Sequence, residues 1–378
     1  MISSPGSGDL PPRCWAEIDL GALRHNARWC RDLAGPGCGV MAIVKADAYG
    51  HGLPEVVAAL SEIADWFGVA NLREARRARA ASGGREQGIL VLGPAAPEEV
   101  EPLVDGGFSG AVSLPEEVAA YEAAAARLGA IARLHAVIDT GMGRMGCLPD
   151  HAAELVAAIR RSSHCRLEGI ASHFPSADED RAFTLDQIAR FHAIVRSLAP
   201  EEGCHVHLGN SAGLIGYHEE MAGMTLARPG LALYGISPLP DMQSDLRPVM
   251  TLKSRVTLAR DVPAGTGISY GRTFVTSRAT RVATLAVGYG DGYPRHLSHS
   301  GASVLIQGRR CPLLGRVTMD QILVDVTDLP SVFRGEEAVL MGKQGGEEIT
   351  TAEIAERAGT IPWEILTGIT SRVQRVHR

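Results

Sequence analysis

Several features that narrow a protein's function are missing from this sequence of 378 residues. Its seven cysteines are scattered and none has CxxC spacing, which argues against a disulfide framework or a structural zinc site and favours a reducing compartment. The N-terminal segment MISSPGSGDLPPR lacks the apolar core of a secretory signal. No apolar run reaches the roughly 18 residues that a transmembrane helix needs. We therefore expect a cytoplasmic protein without a membrane anchor.

An excess of charge of one sign is also missing. The chain carries 37 basic and 43 acidic side chains, a net charge of −6, and the two signs are mixed along the sequence. This distribution offers neither a nucleic-acid-binding stripe nor a polybasic membrane anchor. Apolar residues make up 45% of the chain and charged residues 21%, which is typical of a globular enzyme. We expect a small-molecule substrate and no nucleic-acid partner.

Short apolar runs alternate with helix-like segments over the first two thirds of the chain. Helical segments include 54–64, 72–81, 114–128, 152–161 and 186–198, and strands are predicted to begin near Val40, Trp66, Gly88, Gly110, Ala132, Cys165, His205 and Thr225. About eight such units predict a TIM-type (β/α)8 barrel rather than an open doubly wound sheet. The glycine-rich dinucleotide fingerprint is missing after the first strand, which also argues against a Rossmann fold.

The pattern changes after about residue 235, where a linker-like segment precedes strand-like runs at 251–258, 281–287, 302–306 and 321–326. A short helix is predicted at 351–358. We therefore predict a disordered tail over residues 1–13, a barrel over residues 14–240 and a C-terminal β domain over residues 241–378. The alternating segment 15–20 precedes the barrel strands and is a candidate to join the C-terminal sheet.

The most informative segment is MAIVKADAYGHG, which spans residues 41–52. Its apolar start predicts a buried strand that ends on Lys45, followed by a turn rich in glycine. A lysine at the end of a buried strand is poorly solvated, and desolvation lowers the pKa of its amine and frees the lone pair to form a Schiff base. The ordinary alternative is a strand-end lysine whose amine reaches water.

Other polar residues also follow predicted barrel strands, where the active site of a TIM barrel lies. Arg144 lies in the loop DTGMGR and could bind a carboxylate or a phenolate, or be an ordinary loop arginine. His173 and Arg228 each follow a strand, and a structural role is the ordinary interpretation of both. Asn210 and Ser211 begin a probable helix, which is either an anion site or a common N-cap.

Two smaller features complete the set of candidates in the barrel. The backbone N–H groups of Gly230 and Leu231, in the string RPGL, could bind a phosphate. His205 and His207 share one face of a strand, which could suggest a metal site. No third ligand accompanies them, so we favour packing and predict no metal.

These segments resemble the pyridoxal-phosphate motifs of the alanine racemase family, in the same order and over nearly everything from Trp15 to Arg375. The similar strings are MAIVKADAYGHG, DTGMGR, RPG, GISYGR, VGYGDGYPR and GRVTMDQ. The resemblance implies a pyridoxal-phosphate amino-acid racemase that acts on alanine. It also implies a barrel followed by a β domain, and a homodimer in which each active site is shared between subunits.

The resemblance also implies a role for each matching residue. Lys45 would carry the cofactor and Arg228 would face its pyridine nitrogen, where a guanidinium discourages protonation and keeps the ring a weak electron sink. Arg144 would lie near the phenolic oxygen and the substrate carboxylate, and His173 would join Arg228 to the catalytic tyrosine. The remaining cofactor-binding positions are Tyr49, Asn210, Ser211, Gly230, Leu231 and Trp363.

Racemisation needs a base on each face of a planar intermediate. By the resemblance, Lys45 serves one face and the partner subunit's Tyr270, with a pKa lowered by neighbouring cations, serves the other. Tyr289 matches a substrate-entry tyrosine, and Met319 and Asp320 match residues that approach the substrate carboxylate.

Two differences from the family matter. Val137 stands where the family commonly has a lysine that becomes carbamylated and pairs with the arginine of DTGMGR, so Arg144 needs another partner, either a bound anion such as chloride or a nearby carboxylate. Pro362, Trp363 and Glu364 replace a usual asparagine–tyrosine–glutamate string, and we expect altered substrate tolerance. A racemase of serine or of broad specificity, a decarboxylase of similar build and a pyridoxal-phosphate carrier therefore remain as alternatives.

Overall fold

The computed structural model describes residues 11–378, so most of the tail predicted over residues 1–13 lies outside the described residues. Contacts divide the chain into two compact units. The barrel unit is Leu20–Arg247, and the C-terminal unit is Pro248–Arg378 together with the described residues up to Asp19. The predicted boundaries at residues 14 and 240 lie a few residues from these divisions.

Eight parallel strands form the sheet of the barrel unit, and each begins at or next to a predicted position. They are Gly39–Ile43, Trp66–Val69, Gly88–Val91, Ser109–Val112, Ala132–Val137, Cys165–Ala171, His205–His207 and Leu226–Ala227. The last strand pairs with the first, and backbone bonds from Thr225 N to Val206 O and from Arg228 N to Gly209 O, both 2.9 Å, link the last strand to the seventh. The predicted TIM-type barrel is confirmed.

Helices cover the barrel because parallel strands must be buried on both faces. They are Leu20–Ala34, Leu53–Leu60, Leu72–Ala81, Pro97–Asp105, Pro115–Leu128, Ala152–Arg161, Arg181–Leu198 and Ser211–Tyr217. Side-chain caps start several of them: Asn71 accepts from Glu74 N, Asp180 from Phe183 N and Asn210 from Gly213 N. Short 3₁₀ turns lie at Pro149–His151, Leu231–Tyr234 and Pro240–Met242.

The C-terminal unit is built mainly of strands. Nine of them share one sheet: Cys14–Ile18, Met250–Val262, Thr280–Leu285, Ser303–Ile306, Arg309–Pro312, Ile322–Asp325, Glu337–Gln344, Glu347–Ile349 and Gln374–His377. Cys14–Ile18 pairs antiparallel with Met250–Val262 and parallel with Gln374–His377, so this N-terminal strand belongs to the C-terminal sheet. The β-rich character predicted for this part of the chain is confirmed.

The other elements of the C-terminal unit are short. A two-stranded sheet joins Gly267–Ile268 to Phe274–Val275, and two helices lie near the C-terminus, at Thr351–Ala358 and Pro362–Gly368. Turns of 3₁₀ helix lie at Tyr270–Arg272, Tyr289–Asp291 and Arg295–Leu297. Between residues 11 and 378, none of the helices is both long enough and apolar enough to span a bilayer.

Candidate active site

Lys45 follows the first barrel strand and opens a turn of left-handed helix. Ala46, Asp47, Ala48 and Tyr49 have φ angles between 52° and 54°. For residues other than glycine this conformation costs roughly 1–2 kcal/mol each. Bonds from Ala48 N to Val44 O (2.9 Å) and from Gly50 N to Ala46 O (3.0 Å) close the turn. Such strain persists only where surrounding contacts hold it.

Acidic side chains supply those contacts. Glu74 accepts a bond from Ala46 N and another from Ala70 N, both 2.8 Å, and thereby ties together the loops that follow two neighbouring strands. Asp47 accepts from Leu53 N at 3.1 Å and pairs with Arg77 at 2.8 Å. These contacts fix the backbone on which Lys45 stands, and the sequence alone gave no sign of them.

The amine of Lys45 has no partner among residues 11–378, neither a carboxylate nor another acceptor. Burial lowers its pKa, and the positive charges of Arg144 and Arg228 lower it further, while Glu74 acts in the opposite direction. A half-buried lysine with a lowered pKa is a better nucleophile and base than an exposed one.

Arg228 is buried at the end of the last barrel strand. One of its terminal nitrogens donates to His207 Nδ1 at 2.6 Å, and the other donates to Ser172 O at 2.7 Å and Leu208 O at 3.1 Å. No carboxylate of the described residues pairs with it. Burial and the charge of Arg144 lower the pKa of Arg228 to about 10, so the group stays cationic at neutral pH.

His173 lies beside Arg228, with Nδ1 at 3.2 Å from a guanidinium nitrogen. Burial and the charges of Arg228, Arg144 and Lys45 lower the pKa of His173 to about 3. The imidazole is therefore neutral. Because an arginine can only donate, His173 accepts at Nδ1 and carries its proton on Nε2.

Arg144 is exposed in a loop organised by Asp139. The Asp139 carboxylate accepts N–H groups of Gly141, Met142 and Gly143 at 2.8–3.1 Å, which folds the glycine-bearing loop around it. No carboxylate between residues 11 and 378 pairs with Arg144. Within these residues, this excludes a nearby carboxylate as the partner that replaces the missing lysine. A bound anion stays a prediction.

The predicted phosphate site forms a small cluster of hydroxyl and amide groups. Ser211 Oγ accepts from Gly230 N at 2.9 Å and from Ala232 N at 3.2 Å, which uses both of its lone pairs. A Cβ on Gly230 would lie 2.7 Å from Tyr49 Oη, so only glycine admits this hydroxyl so close to the backbone. The hydroxyl hydrogens of Ser211 and Tyr49 have no acceptor among the described residues.

Five predicted site residues lie in the C-terminal unit. Tyr270 is 70% exposed and lies in a 3₁₀ turn. The residue that precedes this turn, Ser269, has a φ of 62°. Backbone bonds from Tyr289 N to Thr318 O and from Gly290 N to Met319 O, 3.0 and 2.9 Å, bring the predicted Tyr289 and Met319 together. The Asp320 carboxylate pairs with Arg372 at 2.7 Å. Trp363 is half-buried in the helix Pro362–Gly368.

The two histidines of the seventh strand have different surroundings. His205 packs edge-on against Trp66, with ring centroids 5.1 Å apart, as expected from packing. His207 instead hydrogen-bonds to Arg228 and to His135, a role that the sequence analysis missed. Within residues 11–378, no three His, Cys, Asp or Glu side chains are grouped to hold a metal ion.

Among residues 11–378, the ends of the barrel strands carry a lysine without an ion-pair partner and two arginines without carboxylate partners, which is typical of a barrel enzyme with an anionic ligand. The family model for the N-terminal domain of alanine racemase matches residues 18–238, and the model for its C-terminal domain matches residues 249–377. The chain belongs to the alanine racemase family.

Individual relatives agree with this assignment. An alanine racemase of Halothermothrix orenii is 40% identical over 374 residues, and one of Symbiobacterium thermophilum is 42% identical over 369 residues. Each alignment covers 96% of this chain and 96% of the relative. The crystal structure of alanine racemase from D-cycloserine-producing Streptomyces lavendulae superposes with a TM-score of 0.90 at 36% identity, and covers 98% of both chains.

Proposed function

We propose that this chain is a pyridoxal-phosphate-dependent alanine racemase, an isomerase that interconverts L-alanine and D-alanine. The observation that carries the proposal is the unpaired Lys45 amine, whose pKa is lowered beside Arg144 and Arg228. Membership of the alanine racemase family supports the same activity. The product D-alanine would serve biosynthesis, and a cytoplasmic location remains a prediction.

The residues of the barrel fit the proposed cofactor. The free hydroxyl hydrogens of Ser211 and Tyr49 are suited to donate to phosphate oxygens, and the absence of a Cβ on Gly230 lets the Tyr49 hydroxyl lie close to the backbone there. Asn210 and Leu231 flank this cluster in sequence. When bound, pyridoxal phosphate supplies an aldehyde that takes up an amine and a ring that draws electron density from the substrate Cα.

The side chains of this chain divide the remaining tasks. Lys45 Nζ would remove the Cα proton from one face, and burial and two neighbouring cations lower its pKa, which favours the basic form of the amine. Arg228 can donate to the ring nitrogen but cannot accept a proton, which discourages protonation there and limits side reactions. Arg144 is suited to the substrate carboxylate, and neutral His173 helps to orient Arg228.

The second base would be Tyr270 of the partner subunit. Three of the predicted site residues in the C-terminal unit are exposed side chains with large apolar surfaces: Tyr270 is 70% exposed, Tyr289 42% and Met319 52%. Such exposure suits residues that a second copy covers. A homodimer would place Tyr270 Oη on the face of the substrate opposite Lys45, where it donates or removes the proton.

The test is to incubate purified protein and pyridoxal phosphate with separate L-amino acids and to resolve the products by chiral chromatography. D-alanine is expected. Tyr270→Phe should lower its formation by about 10²–10⁴-fold, because a general acid–base group is lost. The variant should still bind the cofactor, as judged from its visible absorbance.

Other products would separate the alternatives. A different D-amino acid with alanine unchanged would favour another specificity, with Val137 and Trp363 as the suspects, and carbon dioxide without any D-product would favour a decarboxylase. A Tyr270→Phe variant with full activity would contradict the two-base mechanism.

A further inference from the structure

A row of polar side chains crosses the interior of the barrel, and three of its four members have no role in the mechanism above. It begins at Arg228, the guanidinium that has no carboxylate partner among the described residues. His207 Nδ1 lies 2.6 Å from Arg228, and His207 Nε2 lies 2.8 Å from His135 Nδ1. His135 Nε2 then lies 3.4 Å from Glu168 Oε2, longer than an ordinary hydrogen bond but within ion-pair distance.

The end groups of the row determine where its protons lie. Arg228 can only donate, so His207 must accept at Nδ1 and carry its proton on Nε2. His207 then donates to His135 Nδ1, which leaves the proton of His135 on Nε2, facing Glu168. An ionised carboxylate can only accept, so both ends impose the same direction on the row.

Electrostatics agree with this arrangement. Burial, followed by the charge of Arg228, holds the pKa of His207 well below its usual range, so its ring is neutral. Burial raises the pKa of Glu168, but its bonds to His135 and Ser109 and the charge of Arg133 outweigh that effect and lower it overall. Glu168 is therefore the anion at the far end of the row.

The backbone is shaped to hold the row. Glu168 occupies a β-bulge, because the register of the sixth and seventh barrel strands shifts between Leu134–Leu167 and His135–Gly169. A bulge turns a side chain in a new direction. A Cβ on Gly169 would collide with the His135 ring, so glycine makes room for it, and Trp66 packs edge-on against the same ring at 5.4 Å.

We propose that His207, His135 and Glu168 are positioning residues that fix the orientation of Arg228 and connect this buried cation to its counter-charge through two imidazoles. The inference rests on the proposed function in one respect, which is that Arg228 faces the cofactor's ring nitrogen. A guanidinium held in one orientation keeps donating to that nitrogen. A loosened one would let the electronic state of the ring change.

The first test is ¹⁵N NMR of histidine-labelled protein, with and without pyridoxal phosphate, and His135→Phe assigns the resonances. His207 and His135 are each expected to be protonated on Nε2 and bare at Nδ1. A proton on His207 Nδ1, or on both of its nitrogens, would overturn the proposal. This measurement does not depend on racemase activity.

The second test compares Glu168→Gln with Glu122→Gln. Glu122 also pairs with a histidine of the barrel unit, His164, at 3.0 Å, but has no link to Arg228. Glu168→Gln should shift the visible absorbance of the bound cofactor and lower kcat about tenfold with little change in KM, which corresponds to about 1.4 kcal/mol. The control should match wild type in both.

The outcomes are distinct. Identical spectra and kcat values in Glu168→Gln and Glu122→Gln would overturn the positioning role. Absence of D-alanine in wild type would instead contradict the proposed function, and the NMR result would still decide whether the row is ordered as inferred.

Discussion

The three lysines of this chain lie in two electrostatic environments. In the C-terminal unit, Lys253 pairs with Glu17 at 3.2 Å and Glu337 at 3.0 Å, and Lys343 pairs with Glu348 at 3.4 Å. Lys45 in the barrel unit has no such partner among the described residues. The two paired lysines form ion pairs that stabilise the C-terminal sheet, whereas the amine of Lys45 is available to react.

Two arginines whose charges act on Lys45 also lack the ion pairs that arginines form elsewhere in both units. In the C-terminal unit, Arg310 pairs with both Glu347 and Glu353. In the barrel unit, Arg144 and Arg228 lack carboxylate partners within the described part of the chain. A group of cations without counter-charges is unfavourable unless an anion joins it. Lys45, Arg144 and Arg228 therefore form a group suited to an anionic ligand.

Removing the free lysine should have the largest effect. Lys45→Ala should lower D-alanine formation by at least about a thousandfold, because it removes both the nucleophile and one base. Chiral chromatography measures the product. Lys343→Ala, which removes a paired and exposed lysine, should keep wild-type activity. Equal losses in the two variants would contradict the contrast between the lysines.

The neutral histidine beside the free cations should make stability depend on pH. The folded-state pKa of His173 is about 3, below the usual 6.5, so its contribution is complete above pH 6.5 and is lost as the pH falls below that value. Between pH 7 and pH 5 the loss is about 2 kcal/mol for this group.

Urea unfolding of cofactor-free protein at the two pH values measures this loss. His173→Gln should lose less stability than wild type on acidification, and His218→Gln, at an exposed position, should behave as wild type does. The same loss in all three proteins would show that other groups cause the pH dependence.

The unpaired Arg144 should make activity sensitive to small anions. Replacing chloride by a bulky organic anion at constant ionic strength should lower kcat/KM by up to about fivefold, as expected for a partly exposed charge. Arg144→Ala should be slower than wild type and insensitive to this exchange. A variant that kept the wild-type anion dependence would place the anion elsewhere.

A glycine substitution in the left-handed turn should have the smallest effect. Its effect on the free energy of unfolding should have the opposite sign to that of the same substitution in a right-handed helix. Ala46 is exposed at φ 53°, so Ala46→Gly should raise the free energy of unfolding by up to about 1 kcal/mol. Ala80 is exposed in the right-handed helix Leu72–Ala81, and Ala80→Gly should lower it by about 1 kcal/mol. Urea unfolding measures the free energy of unfolding of both variants. Changes of the same sign would contradict backbone strain in the left-handed turn.

Much of the barrel could be predicted because its signals are local. Several of the strands, such as Gly39–Ile43 and Trp66–Val69, are apolar runs, and the helices Leu72–Ala81 and Ala152–Arg161 have the predicted bounds. The helix Pro97–Asp105 was missed because Pro102 lies inside it and acidic residues dominate its start. The strand Glu337–Gln344 was missed although it pairs with Met250–Val262. Its apolar run AVLM is short, and its pairing partner is distant in sequence.

The candidate site also contains residues that could be predicted from the sequence and residues that could not. Lys45, Arg144, His173 and Arg228 follow strands, so the barrel topology brings them to one end, and their mutual effects on pKa are consistent with this. Glu74 and Glu168 could not be predicted, because one acts through a left-handed turn of four non-glycine residues and the other through a β-bulge. Both features arise from backbone geometry that residue types alone do not specify.

The most direct test of the central claim is to bind pyridoxal phosphate, reduce the covalent link with borohydride and map the labelled peptide by mass spectrometry. Only three lysines compete. We expect a label on Lys45 alone, with Lys253 and Lys343 unmodified. A label on either paired lysine, or no stable label at all, would contradict the claim that Lys45 is the free amine to which the cofactor binds.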